Sequence, residues 1–121
     1  TFAYATSLGG VMNDAIGGYS TVSGGYDNTA SGTYSVAGGG YQNTASGTRA
    51  FVGSGQSNIS SGGCAVVGGG NNNTASGNRS TIAGGDGNTA SSTRAFVGGG
   101  IVHLQLLVED VITVLLAIIL Q

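Results

Sequence analysis

Tyrosine and arginine are the residues of this sequence best equipped for chemistry at a surface, and they recur at a fixed interval. Tyr4, Tyr19, Tyr34, Arg49, Cys64, Arg79 and Arg94 follow one another at fifteen-residue steps, and Tyr26 and Tyr41 belong to a second such series. Tyr offers a ring and a hydroxyl, Arg a planar cation with a fork of donors, and both are favoured where proteins bind partners. Tyr19, Tyr26, Tyr34, Tyr41, Arg49, Arg79 and Arg94 therefore form a candidate surface for a receptor or a glycan. The alternative reading is a stack of like side chains that merely suits a repetitive surface.

Covalent chemistry finds no comparable support. A nucleophile needs a base within reach, and His103 is the one histidine, placed where the repetitive part of the chain ends. Cys64 is the one cysteine, so no intrachain disulfide is possible. The Gly runs lack the Lys of a phosphate-cradling loop. Gly84-Gly85-Asp86-Gly87-Asn88 has the flavour of a calcium-binding β-roll, but that motif must recur every nine residues and here it occurs once. Asp14, Asp27 and Asp86 occupy different positions of the repeat and pair for no acid–base role. The sequence thus predicts a non-enzyme with no catalytic residues, no metal site and no cofactor.

Composition narrows the class further. Twenty-five Gly without Pro or a three-residue period exclude collagen, so Gly must serve turns. Charged residues at 7% and a formal net charge of −2 do not suit a disordered chain. With no Lys and three Arg, nucleic acid is not an expected partner. The opening Thr1-Phe2-Ala3-Tyr4, without Met or signal peptide, reads as a processed product or a fragment.

What must position the Tyr and Arg residues is an internal repeat. Asn13, Asn28, Asn43, Asn58, Asn73 and Asn88 lie fifteen residues apart without a slip. Numbering each unit from its Asn gives the consensus N-T-A-S-G-x-x-[SA]-x-V-x-G-G-x-x. A unit this short cannot hold a helix pair but can hold two short strands and two turns. The prediction is an all-β parallel β-solenoid (β-roll) of about seven coils over residues 1–102, on the order of 30 Å long at a spacing of 4.7–4.9 Å per coil. Alternation places the small and aliphatic columns at slots 3, 8 and 10 in the lumen. Turns are expected at slot 5 and slots 12–13, where Gly reaches positive φ. The Asn column is expected to form a structural ladder, amide bonding to amide.

Slot 9 departs from this economy. It holds Thr6, Thr21, Val36, Phe51, Val66, Thr81 and Phe96, and alternation points it outward. An exposed apolar column marks an interface. Composition then changes at Ile101, after which no Gly occurs. Residues 103–121 are expected to form a hydrophobic C-terminal α-helix, an oligomerising coiled-coil stalk, with Ile101, Val108 and Leu115 at a and Leu104, Val111 and Ile118 at d. β-branched residues at d favour more than two strands. Packing of that helix against another copy in a filament is an alternative. A membrane span is disfavoured because Glu109 and Asp110 interrupt the run. Val36, Phe51, Val66, Phe96, Ile101, Leu104, Val108, Val111, Leu115 and Ile118 are accordingly the predicted interface of a homo-oligomer, a trimer by preference, open to stacking into filaments.

The string A-S-G-x-x-S-x-V-x-G-G resembles the head repeats of trimeric autotransporter adhesins, and N-T-A-S-G runs are similar to repeats of phage and viral tail-fibre proteins. The likeness covers residues 1–102. It implies an adhesive or structural fibre module, extracellular, on a cell surface or virion. In the adhesin family it implies three chains wound side by side and a passenger segment of a longer protein, although the coil here is one residue longer than that family's usual one. An alternative function comes from Thr29/Ser31, Thr44/Ser46, Thr74/Ser76 and Thr89/Ser91, a hydroxyl ladder that resembles the Thr arrays of solenoid ice-binding proteins and is broken by Asp14 and Ile59.

Overall fold

The computed structural model describes residues 4–101, and all the regular structure in them is β. The chain is a parallel β-solenoid of about six coils. Each coil contributes two strands of two residues. One sheet stacks Thr6–Ser7, Thr21–Val22, Val36–Ala37, Phe51–Val52, Val66–Val67, Thr81–Ile82 and Phe96–Val97 in that order. The other stacks Asp14–Ala15, Thr29–Ala30, Thr44–Ala45, Ile59–Ser60, Thr74–Ala75 and Thr89–Ala90. Every pairing joins residues fifteen apart, such as Val36 with Phe51 and Thr29 with Thr44. A third file of single-residue parallel bridges runs through Val11, Tyr26, Tyr41, Gln56, Asn71 and Asp86 at slot 14, which the two-strand reading of the sequence missed. The expected C-terminal helix lies outside the described residues.

The lumen is small because its residues are small. Ala30, Ala45, Ala75 and Ala90 at slot 3, Ser20, Ser35, Ala50, Ala65, Ser80 and Ala95 at slot 8, and Val22, Ala37, Val52, Val67, Ile82 and Val97 at slot 10 are all buried. Ser80 turns its hydroxyl back to the Gly77 carbonyl at 2.7 Å. The Gly17 and Gly32 carbonyls accept the backbone N–H groups of Ser20 and Ser35, whose buried hydroxyls, like that of Ser60, have no hydrogen-bond partner.

The Asn column works chiefly through the backbone rather than amide to amide. Asn58 donates from Nδ2 to the Ser54 and Gly70 carbonyls at 3.0 and 2.9 Å, binding its own turn to the turn of the next coil. Its Oδ1 accepts the Asn73 backbone N–H at 3.0 Å. Asn28, Asn43 and Asn73 repeat the pattern, whereas Asn88 does so through Nδ2 alone, its Oδ1 having no hydrogen-bond partner among the described residues; all four are buried. Among the described residues, direct amide-to-amide bonds occur at Asn28–Asn13 and Asn73–Asn58 alone. A buried amide with each of its groups engaged in this way locks successive coils in register.

Of the two glycine columns, slot 13 has the positive φ expected of it and slot 5 does not. Gly55, at slot 13, has φ +100, and a Cβ there would overlap the Gly70 carbonyl oxygen. Gly47, at slot 5, is not in the left-handed region; Gly is needed there because a Cβ would overlap the Gly62 carbonyl of the coil above. Gly17, Gly32, Gly62 and Gly77 meet the same obstruction. The last coil carries Ser92 at slot 5, and among the described residues no coil lies above it. The positive φ expected at slot 5 falls instead at slot 7 and slot 15, on residues that, Gly87 apart, carry side chains.

Candidate functional site

Slot 7 is the third residue of a four-residue turn. In each coil the slot 5 carbonyl accepts the slot 8 N–H, as Gly32 does from Ser35 at 3.0 Å and Ser92 from Ala95 at 3.0 Å. The third residue has positive φ, the pattern of a type II turn, which asks for Gly or Asn at that place. Tyr4, Tyr19, Tyr34, Arg49, Cys64, Arg79 and Arg94 occupy it, with φ between 57° and 67°. The left-handed backbone reverses the peptide. Strand N–H groups donate to the following coil, as Val36 does to the Ala50 carbonyl at 2.9 Å. Slot 7 donates to the preceding one, as Tyr34 does to the Gly18 carbonyl at 2.8 Å. The side chains at slot 7 then stand out from the turn, and all seven are exposed.

The aromatic members stack. Tyr4, Tyr19 and Tyr34 have ring centroids 5.1 and 4.9 Å apart with planes 8° and 7° from parallel. Tyr26 and Tyr41 at slot 14 repeat the arrangement at 5.3 Å and 8°. The rings turn their faces to one another, so what they show to solvent is a row of edges and hydroxyls. Above Tyr34 the slot 7 file continues as Arg49, Cys64, Arg79 and Arg94, in order of coil. Slot 15, beside the slot 14 tyrosines, holds a side-chain link that the sequence reading did not contain: Gln42 Nε2 donates to Asp27 Oδ2 at 3.0 Å.

The predicted interface residues of slot 9 point away from the lumen. Phe51 and Phe96 are 40% and 41% exposed, and Val36 and Val66 are half-buried in the sheet surface. Each Phe ring lies over the small residue two places on, so that a Cβ on Gly53 would come within 3.3 Å of the Phe51 ring and one on Gly98 within 3.6 Å of the Phe96 ring. Ile101 is exposed, and Leu104, Val108, Val111, Leu115 and Ile118 lie outside the described residues. On the other sheet Thr29, Thr44, Thr74 and Thr89 share one outward column with Ile59 between them, and Ile16 also interrupts the adjoining Ser column.

The first described coil differs from the rest in ways the repeat could not announce. Leu8, Val11, Met12 and Ile16 are large, apolar and exposed where later coils carry Ser, Gly, Tyr or other polar groups at most of the same slots. Among the described residues no three His, Cys, Asp or Glu side chains gather into a possible metal site.

Comparison with known proteins bears on the coil rather than on the file of Tyr and Arg. A family model described as the ubiquitous surface protein adhesin repeat matches residues 20–32. That stretch holds the strands Thr21–Val22 and Thr29–Ala30 and the Asn28 turn between them, and it stops short of slot 7 on either side. No curated protein and no solved structure gave a match to the chain. One coil of this solenoid is therefore similar to a repeat of surface adhesins, in the residues that build the coil.

Proposed function

We propose that the protein is a non-catalytic structural or adhesive rod of a cell surface, and that it works as a homo-oligomer, three copies packed side by side along slot 9. The observation that carries this reading is the outward apolar column of Val36, Phe51, Val66 and Phe96 on a rod whose coil is similar to an adhesin repeat. Burying one such Phe is worth roughly 1.5–3 kcal/mol. A lumen of Ala, Ser and Val buries little apolar area, so packing against further copies adds what one chain lacks. We assign a share of the association to the apolar residues after Gly100 as well, as a stalk joining the copies. Light scattering on the soluble chain tests the proposal: a trimer that dissociates on Phe51→Asp with Phe96→Asp supports it, and a folded monomer, or an assembly indifferent to both changes, overturns it. Truncation after Gly100 separates the stalk's share.

A second reading rests on Thr29, Thr44, Thr74 and Thr89, which the sheet holds in one column, and assigns that face to ice. Thermal hysteresis that disappears on Thr44→Tyr with Thr74→Tyr would establish it in place of adhesion.

A further inference from the structure

The three columns with positive φ are filled by different rules. Slot 13 is Gly in Gly10, Gly25, Gly40, Gly55, Gly70 and Gly85. Slot 15 uses Asp27, Asn72 and Gly87 among its six residues, the types that tolerate a left-handed backbone. Slot 7 uses none of them at its seven positions, although a type II turn asks for Gly or Asn there. Backbone strain that the fold could relieve by a cheaper residue, yet keeps, points to what the side chains do.

Charge adds a second, independent observation. The 121-residue chain has three Lys or Arg residues, and all are in this file: Arg49, Arg79 and Arg94. Each is exposed, and none has a carboxylate partner among the described residues. Arg79 and Arg94 stand in adjacent coils, so like charges lie side by side with no acid between them. The described acids Asp14, Asp27 and Asp86 lie at slots 2, 15 and 14 instead. Exposed guanidinium groups that the coils hold in one file, interrupted at Cys64 and without anions among the described residues, suit anions supplied from outside.

From these residues we infer that the slot 7 edge binds a linear acidic polysaccharide, laid along the rod with about one sugar ring per coil. The ~4.8 Å coil spacing is comparable to the advance of one pyranose ring along such a polymer. Carboxylate or sulfate groups meet Arg49, Arg79 and Arg94, and sugar hydroxyls meet the hydroxyl row of Tyr4, Tyr19 and Tyr34. Two other polyanions fit less well. Single-stranded nucleic acid needs free aromatic faces to stack on, and these rings cover one another at 4.9–5.1 Å. An extended acidic peptide advances about 3.3 Å per residue and falls out of step with the row. The inference rests on reading the protein as a surface rod, and it names what that rod holds. Several rods in one assembly present several such edges, which multiplies a weak single contact.

The test is binding of the intact chain to surfaces bearing heparin, polygalacturonate or neutral dextran, with single-stranded oligo-dT and poly-glutamate as competitors. Retention on heparin shows sulfate recognition and on polygalacturonate carboxylate recognition; either supports the proposal provided dextran retains nothing and retention falls with salt. Arg79→Gln with Arg94→Gln should weaken it about tenfold or more, and Arg79→Lys with Arg94→Lys should restore most of the salt-dependent part. Absence of binding to both acidic polysaccharides, indifference to the Gln pair, or stronger competition by oligo-dT or poly-glutamate overturns it. Circular dichroism and light scattering on the same samples keep the two readings apart. An intact oligomer that binds nothing sinks the ligand alone, whereas a monomer sinks the rod assembly.

Discussion

The two turns of each coil solve the same geometric problem with opposite chemistry. The turn at slots 12–15 is filled largely by what its backbone requests: Gly55 where φ is +100, Asn72 and Asp27 where φ is 56° and 57°, and then a buried Asn that bonds two turns together. The turn at slots 5–7 takes Gly47 because the next coil presses on it, and then places Tyr34 or Arg79 where φ is 60° or 58°. The first turn is composed for its backbone at slot 13 and at half of slot 15, and departs from it at Met12, Gln42 and Ser57. The other is composed for stability at its first residue and gives up some at its third. In a repeat protein each coil contacts its neighbours alone, so the difference is written coil after coil and can be tested within a single chain.

The largest expected effect is in the stabilising turn. Asn58→Asp keeps an acceptor for the Asn73 N–H but turns the Nδ2 donor into an oxygen facing the Ser54 and Gly70 carbonyls, at a fully buried site. An uncompensated buried charge costs about 3–5 kcal/mol. Burial and the two carbonyls raise the folded-state pKa of the introduced carboxyl above its unfolded value of about 3.9. The folded state then binds the extra proton, so the loss grows as pH rises from the unfolded pKa to the folded one and shrinks again in acid. Urea unfolding at acid and neutral pH measures both. Asn13→Asp, at the less buried foot of the column, should cost much less. Equal losses at the two sites would mean that burial is not what makes the ladder matter.

Next in size is the pressed glycine. Gly47→Ser sets a Cβ against the Gly62 carbonyl, backbone that cannot step aside without parting two coils. Overpacking against backbone should cost about 3 kcal/mol or more and divide the stack at that point. The chain contains its own control, since Ser92 holds the same slot in the last coil. Ser92→Gly should shift stability by less than about 1 kcal/mol, through unfolded-chain entropy. Thermal unfolding of the two variants checks this. A mild Gly47→Ser would show that the close approach is slack.

How much of this was legible depended on whether a residue type has one meaning or two. The Asn register from Asn13 to Asn88 has one, and it specifies the coil, the two sheets and the pairing of Thr29 with Thr44. The columns through Ala45, Ala50 and Val52 read correctly as lumen because alternation and small size agree. Gly has two meanings. Gly47 and Gly55 look alike in sequence, yet one answers to crowding and the other to φ as well. Taking both as markers of positive φ hid that the left-handed residues of the slot 5 turn are Tyr34, Arg79 and their equivalents. A subtler signal was present: slot 7 contains no Val, Ile or Thr in a chain full of them, nor does slot 15 from Met12 to Gly87, and a β-branched residue is the type that a positive φ tolerates least. The amide geometry of Asn58 was out of reach, because side-chain bonding to two carbonyls depends on how neighbouring turns nest. The exposed Leu8, Val11 and Met12 were out of reach for another reason: they break the repeat, and a repeat predicts only its own continuation.

The smallest expected effect bears most directly on the contrast between the turns. Cys64 stands at slot 7 with φ 57°, between the coils of Arg49 and Arg79. Its thiol is exposed and has no disulfide partner. If the fold alone had chosen slot 7, Cys would suit it no worse than Asn, and Cys64→Asn would be neutral or harmful. If slot 7 is held against the preference of its backbone, Asn, which visits the left-handed region at lower cost, should stabilise the rod by about 0.5–1 kcal/mol, or a few degrees in Tm. Arg79→Asn should bring the same backbone gain, and in addition remove a charge from beside Arg94, so it should stabilise at least as much. The two variants part in binding: Cys64→Asn should leave retention on an acidic polysaccharide unchanged, and Arg79→Asn should weaken it. Stability rising in both while binding falls in one is the pattern of a site maintained at the expense of the fold. Stability falling in both would return slot 7 to the scaffold, as a turn whose exposed side chains secure their own coils.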